Sequence, residues 1–511
     1  MFGLPRILMV YAVAIPLALV LGYAVSSGLS TPEDSTNLLM VGLLLFVLAL
    51  PILFKWHHIM LIFLWNAAFL FPFLPGQPQA WLLMAVLSFG ISWLNGLLGG
   101  GKFVRVPELA RPLVFLGFVV FATGVIRGGI GARVFGSTSY GGRAYFYILG
   151  PIIGYFALTA MRIPLAKANR TTAIYLLSGM TFVLSNLVFF LGPSFYFAYN
   201  ILPASFMQGQ AQVELGMEPT AFERLNGFTP GCTALVGYFL MRWGIRGIFS
   251  YAHPWRVVLL FVTFLLSLLG GFRGSVIMLG LLFFCQFCAE RLWRTHFLPI
   301  SMGFAVLAAM TVFLFAGRLP LAAQRAVSFL PVQVDPEVRL DAENSVEWRV
   351  QMWRMLVPKI PEYLLVGKGY SIDPEELYFA VLGGGAEEAS GNAELVAGDY
   401  HSGPLSTIIP LGLWGVVGFF WLLGAGTKAL YRNYRYGDPA LLHINSFFLA
   451  MFITQAIVFF TVFGAFNSQL YMFTGILGMS VALNGGVSKP GQIVARAAGS
   501  DIIQAPVSIL V

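Results

Sequence analysis

Long apolar runs recur along this chain so closely that they fix the solvent in which most of it folds. They lie near residues 7–25, 38–54, 59–74, 80–98, 112–126, 144–160, 171–191, 230–241, 257–269, 275–289, 297–316, 404–424, 445–464 and 468–483. A helix needs about 20 apolar residues to cross the hydrocarbon of a bilayer, and only helices and closed barrels satisfy their backbone there. Several runs are shorter, so some are tilted, broken or re-entrant, and the expectation is about 12–14 spans. Composition points the same way. Hydrophobic residues make up 58% of the chain and charged ones 10%, with a mean hydropathy of +0.80, against an apolar share of about half in soluble domains. The reading is an all-α, polytopic transmembrane helical protein. Its first run is read as an anchor, not a cleaved signal, because so many others follow.

Charge then orients the spans, since Lys and Arg in short loops stay inside. With the N-terminus inside and loops alternating, the inner side collects 18 of the 30 Lys and Arg but only 4 of the 22 Asp and Glu. The net charge of +8 therefore reflects anchoring rather than a nucleic-acid surface. No basic run is interleaved with stacking aromatics, so no nucleic acid is expected as a partner; membrane lipids are.

Four regions follow. Residues 1–316 read as transmembrane helices, 317–403 as one long outer loop subdomain, 404–483 as C-terminal transmembrane helices and 484–511 as an inner tail. Within the loop, Val346, Val350, Trp353 and Leu356 recur at spacings of three and four, which predicts an amphipathic helix against the membrane face. The acidic, Gly-rich segment from Gly383 to Gly398 reads as a mobile lid.

Several chemistries find no support. Cys232, Cys285 and Cys288 sit in apolar runs with no histidine beside them, which favours packing over a metal site. No Walker A loop, dinucleotide fingerprint, H-E-x-x-H or G-x-S-x-G occurs. Nearly every Asp and Glu falls in a loop, and no two-halves repeat of the transporter kind is visible. Neither a cofactor nor a metal is expected.

What remains is a set of arginines and one histidine on the outer side. His401 and Ser402 are followed nine residues later by Gly412, and then by Gly415, giving H-S-x9-G-x-x-G at the lip of a span. This pattern resembles the signature of the O-antigen ligase family. Three upstream segments resemble that family in the same order. They are "ERLNGFTPGCTAL" with Arg224, "GGFRGSVIML" with Arg273, and "WRVQMWRMLVPKIPEYLLVGKGY" with Arg349. Departures are Pro230-Gly231 where Pro-Asn is usual, Phe272 in place of Ser, and Lys368 where a small or apolar residue is common. The resemblance covers roughly residues 215–425.

It implies a glycosyltransferase of a bacterial inner membrane with its site facing the periplasm. Such an enzyme moves a glycan from an undecaprenyl-diphosphate carrier to an acceptor hydroxyl on a lipid A-core sugar, another lipid-linked glycan or a protein. His401 would be the general base. Arg273 and Arg349 would act at the reacting diphosphate, with Arg224, Arg354 and Ser402 binding diphosphate or glycan. Each has a plainer use: a histidine can sit at an interface, an arginine can snorkel to water, Arg224 can pair with Glu223, and Arg349 can share a solvated face with Glu343 and Glu347. Arg354 is the substitute if Arg349 is the wrong choice. A polymerase or a protein glycosylating ligase fits the same residues, and a lipid-linked oligosaccharide flippase is the rival from another class.

Overall fold

The computed structural model describes residues 35–74, 76–99, 103–131, 140–203, 224–372, 398 and 400–490, with side chains from residue 47 onward. Among these residues there are helices but no strands, only isolated bridges between Leu70 and Gln79 and between Tyr140 and Ile372. Among the described residues seven helical stretches are long and apolar enough to cross a membrane, and the chain is an all-α polytopic membrane protein.

In chain order the principal helices are α1 (Ser35–Trp65), α2 (Ala80–Leu97), α3 (Pro107–Ile126), α4 (Gly142–Leu158), α5 (Leu165–Leu191), α6 (Phe228–Ile248), α7 (Trp255–Leu268) and α8 (Arg273–Ala289). They continue as α9 (Phe297–Phe315), α10 (Leu321–Val327), α11 (Pro336–Leu356), α12 (Gly403–Tyr436), α13 (Leu442–Thr461) and α14 (Phe466–Asn484). The bundle core joins α14 to α4, α12 to α3, α2 to α4 and α8 to α13. Small residues set the closest approaches, as is usual where lipid removes the hydrophobic drive between helices. A Cβ on Gly154 would run into the Trp65 ring, and one on Gly150 into Leu82. Large apolar side chains such as Phe118 and Val125 face outward from α3, where lipid is the solvent.

The runs expected near 38–54 and 59–74 are one helix, α1. The polar residues that divided them in the sequence are accommodated inside it: Nδ1 of buried His57 is 2.8 Å from the Ser88 hydroxyl, and Lys55 lies over Trp56. That merger removes the loop expected between those two runs. The first apolar run, the Gly383–Gly398 segment apart from Gly398, and the tail beyond residue 490 lie outside the described residues.

Between α9 and α12 the described residues form α10, α11 and a single helical turn at Ile360–Tyr363. α11 begins where Asp335 accepts from the Glu337 N–H, with Pro336 at its first position. Its buried stripe is Val338, Ala342, Met352 and Leu356. The stripe predicted from Val346, Val350, Trp353 and Leu356 is therefore rotated, since Val346 is exposed. The packing partners reach deeper on the other side, toward Tyr400, Leu405 and Ile409.

Candidate functional site

Two irregularities in the helices build the site. The first is a break inside α12. Gly412 adopts φ 64° and ψ −163°, a backbone region that side chains other than glycine rarely enter. The break frees carbonyls that a helix would use internally, and the "LLVGKG" loop takes them. Lys368 N–H donates to Ile409 O (2.7 Å), Gly369 N–H to Pro410 O (2.9 Å), and Leu413 N–H to Leu364 O (2.7 Å). A Cβ on Gly412 would come within 3.0 Å of Gly367 N and Leu364 O. The loop is held from behind by Arg127, whose Nε and Nη2 donate to the carbonyls of Gly367 and Val366 at 2.8 and 2.9 Å. The first glycine of the motif thus fixes how residues 403–411 fold over the spanning half of α12.

At the tip of that folded-over piece stand Ser402, at the N-cap of α12, and His401. The side chain of Ser402 makes no capping hydrogen bond, while its carbonyl accepts from Ser406 N–H at 2.8 Å. His401 has φ 48°, a left-handed conformation that costs a non-glycine residue about 1 kcal/mol or more. Its surroundings hold it there. The Trp353 indole donates to the carbonyl of the preceding Tyr400 (2.9 Å), and the imidazole ring lies 5.3 Å from Trp348 and 5.2 Å from Phe463.

The second irregularity is the tight turn between α7 and α8. Gly271 has φ 70°, and its carbonyl accepts from Arg325 Nη1 at 2.9 Å. Arg325 lies on α10, a short helix whose Ala322, Ala323 and Ala326 let it tuck against its neighbours. Its side chain is buried, donates through Nη2 to Ser345 Oγ (2.9 Å), and through Nε to the Asp341 carboxylate. Asp341 also accepts from Arg224 Nη2, at 3.1 and 3.0 Å to its two oxygens. Arg273, the first residue of α8, is within electrostatic reach of Arg325, Arg349 and Asp341.

Among the described residues, the guanidinium groups of Arg224, Arg325 and Arg273 thus gather around the Asp341 carboxylate, with Arg349 near Arg273. Burial, with Arg325 and Arg273 nearby, lowers the pKa of Arg224 to about 10 despite the opposing pull of Asp341. Helix α11 links this cluster to His401, because Asp341, Ser345, Trp348 and Arg349 recur along one side at helical spacing.

Of the residues chosen from sequence, Arg224, Arg273 and Arg349 come together, and His401 and Ser402 sit at the adjoining end of α12. Arg354 does not join them; it is exposed, five residues and therefore about 140° around α11 from Arg349. Glu343 and Glu347 are exposed as well, with Glu347 accepting from Gln351. Arg325 and Asp341 were not anticipated. Their signals were an arginine inside the apolar "LAAQRAV" and the spacing of four in Asp341, Ser345 and Arg349. Phe272 occupies the N-cap of α8 without a side-chain hydrogen bond, the position where a serine would cap.

A comparison with models of known families matches residues 257–420 to O-antigen ligase. That stretch runs from α7 through the kink of α12 and includes Arg273, Arg325, Asp341, Arg349 and His401. No curated protein matches the chain.

Proposed function

We propose that this chain, whose residues 257–420 match the O-antigen ligase family, is a membrane glycosyltransferase of ligase or polymerase type that transfers a glycan from an undecaprenyl-diphosphate carrier to an acceptor hydroxyl at the periplasmic face. The observation that carries this is the gathering of Arg224, Arg273 and Arg325 at Asp341, joined by α11 to the end that bears His401. A leaving diphosphate brings several negative charges. Guanidinium groups bind phosphate oxygens through paired N–H donors and stay protonated while doing so.

The step balances as a single displacement. The acceptor oxygen attacks the anomeric carbon, and the bond from that carbon to the diphosphate oxygen breaks. The acceptor's proton passes to the His401 imidazole, and the bonding pair leaves with undecaprenyl diphosphate on the arginines. Neutral imidazole is the side chain suited to take a proton near neutral pH. Attack opposite the leaving group inverts the anomeric centre, by analogy with other single-displacement glycosyl chemistry. Arginine supplies the charge that a divalent metal supplies in many diphosphate-cleaving enzymes, and Asp341, the carboxylate in the cluster, already holds two guanidinium groups.

The test is direct. Purified protein in detergent, with no ion gradient, should consume a carrier-linked glycan in the presence of acceptor and release undecaprenyl diphosphate. A donor left chemically intact would instead favour the flippase reading.

A further inference from the structure

The end of the bundle opposite this site holds a cavity that glycosyl transfer does not use. α3 runs between the two ends: beyond its C-terminus Arg127 grips the loop under His401, and its N-terminus opens on the cavity. The cavity measures about 810 Å³ and lies among α2, α3, α4 and α12. Its walls are aromatic, with Phe89 and Trp93 from α2, Phe156 from α4 and Trp421 from α12. Trp93 and Trp421 are 54% and 46% exposed, so the cavity opens on the lipid-facing surface of the bundle.

Polar groups occur at two levels. Arg105 and Arg111 line the cavity on either side of the α3 N-terminus, which no side chain caps. Neither makes an ion pair or hydrogen bond among the described residues. The nearby carboxylate, Glu108, is taken by Arg432 at 3.2 and 3.3 Å. Deeper in the wall is Tyr155, 2% exposed, whose hydroxyl is buried without a partner among the described residues. It lies three residues inside the end of α4, about 5 Å along the axis.

We propose that this cavity binds a glycerophospholipid with an anionic headgroup. Arg105 and Arg111 hold the phosphate, the Tyr155 hydroxyl donates to an ester carbonyl, and an acyl chain lies among the aromatics. Two unpaired cations at the mouth, one orphaned donor just below them and an apolar interior open to lipid match the three zones of such a molecule in order. Basic pockets between helices at the basic-rich face of a membrane protein are suited to anionic headgroups. The inference is independent of the proposed glycosyl transfer.

The experiment reconstitutes the full chain into vesicles of phosphatidylcholine with a minor share of phosphatidylglycerol, one or the other carrying brominated acyl chains, and reads tryptophan quenching. The share of quenching due to the cavity is the part lost in a Trp93→Phe, Trp421→Phe variant. For the wild type it should favour phosphatidylglycerol, and Arg105→Gln with Arg111→Gln should lower that preference by roughly tenfold. Arg105→Lys with Arg111→Lys should retain most of it, which guards against misfolding. Equal quenching by both lipids in the wild type would overturn the proposal. So would an equal loss on replacing Arg170 and Arg246 by Gln, two exposed arginines outside the cavity, because general surface attraction would then explain it.

Discussion

Replacing Asp341 by Asn keeps the shape of the side chain and removes the carboxylate shared by Arg224 and Arg325. Three hydrogen bonds to charged groups are affected, and such bonds are worth about 1.5–3 kcal/mol each when well buried. Asp341 is about one-third exposed, so solvent screening puts the combined loss near the lower end, at about 2–4 kcal/mol. The charge already buried at Arg224 shows the direction. Burial, with Arg325 nearby, lowers its pKa to about 10, so the protonated form is disfavoured in the fold. That penalty is fully present below pH 10 and is relieved only as pH rises above about 10. At neutral pH the Arg224 guanidinium is therefore charged at a cost that its burial imposes. Asp341→Asn should lower the melting temperature by several degrees and the transfer rate by about ten- to a hundredfold, since two guanidinium groups lose their anchor. Inorganic pyrophosphate, added as an anion that fits the cluster, should then raise the melting temperature of the variant more than that of the wild type. Thermal unfolding in detergent, with and without pyrophosphate, reads both effects. A variant melting like the wild type and transferring within twofold of it would refute the reasoning.

Arg273→Lys keeps the charge but not the planar fork, so the initial transfer rate at saturating acceptor should fall by about ten- to a hundredfold, with Ala worse; a Lys variant within twofold of wild type would mean that Arg273 only snorkels. Gly412→Ala places a side chain at φ 64° and against the Leu364 carbonyl, so it should destabilise by about 1–3 kcal/mol and reduce transfer, measured by melting and rate together; an unchanged protein would deny that the kink positions His401. Transfer should survive EDTA, and loss on chelation restored by Mg²⁺ or Mn²⁺ would contradict the arginine-based account.

The helical bundle was legible because hydrophobicity reports directly on hydrocarbon solvent. The continuity of 38–54 with the start of 59–74 was not, because His57 satisfies its polarity against Ser88, thirty-one residues away. His401 was singled out by the resemblance of H-S-x9-G-x-x-G to a family signature, and the kink at Gly412 accounts for the first glycine of that pattern. Arg224, Arg273 and Arg349 could be picked out as span-edge or loop cations. The meeting of Arg224 with Asp341 depends on a tertiary contact between the segment before α6 and the second turn of α11. Arg325 was hidden for a similar reason: alanines make its short helix look like ordinary packing, and only burial shows that its guanidinium has nowhere to snorkel. Val346 misled because an amphipathic pattern gives a face but not the identity of what covers it.

The central claim is that His401 takes the acceptor's proton while the arginines hold the departing diphosphate. The most direct measurement is the initial rate of carrier-linked glycan transfer by purified His401→Ala, normalised to inserted protein, alongside binding of the same donor. The account predicts transfer abolished with donor binding retained. Near-normal transfer by His401→Ala would contradict it.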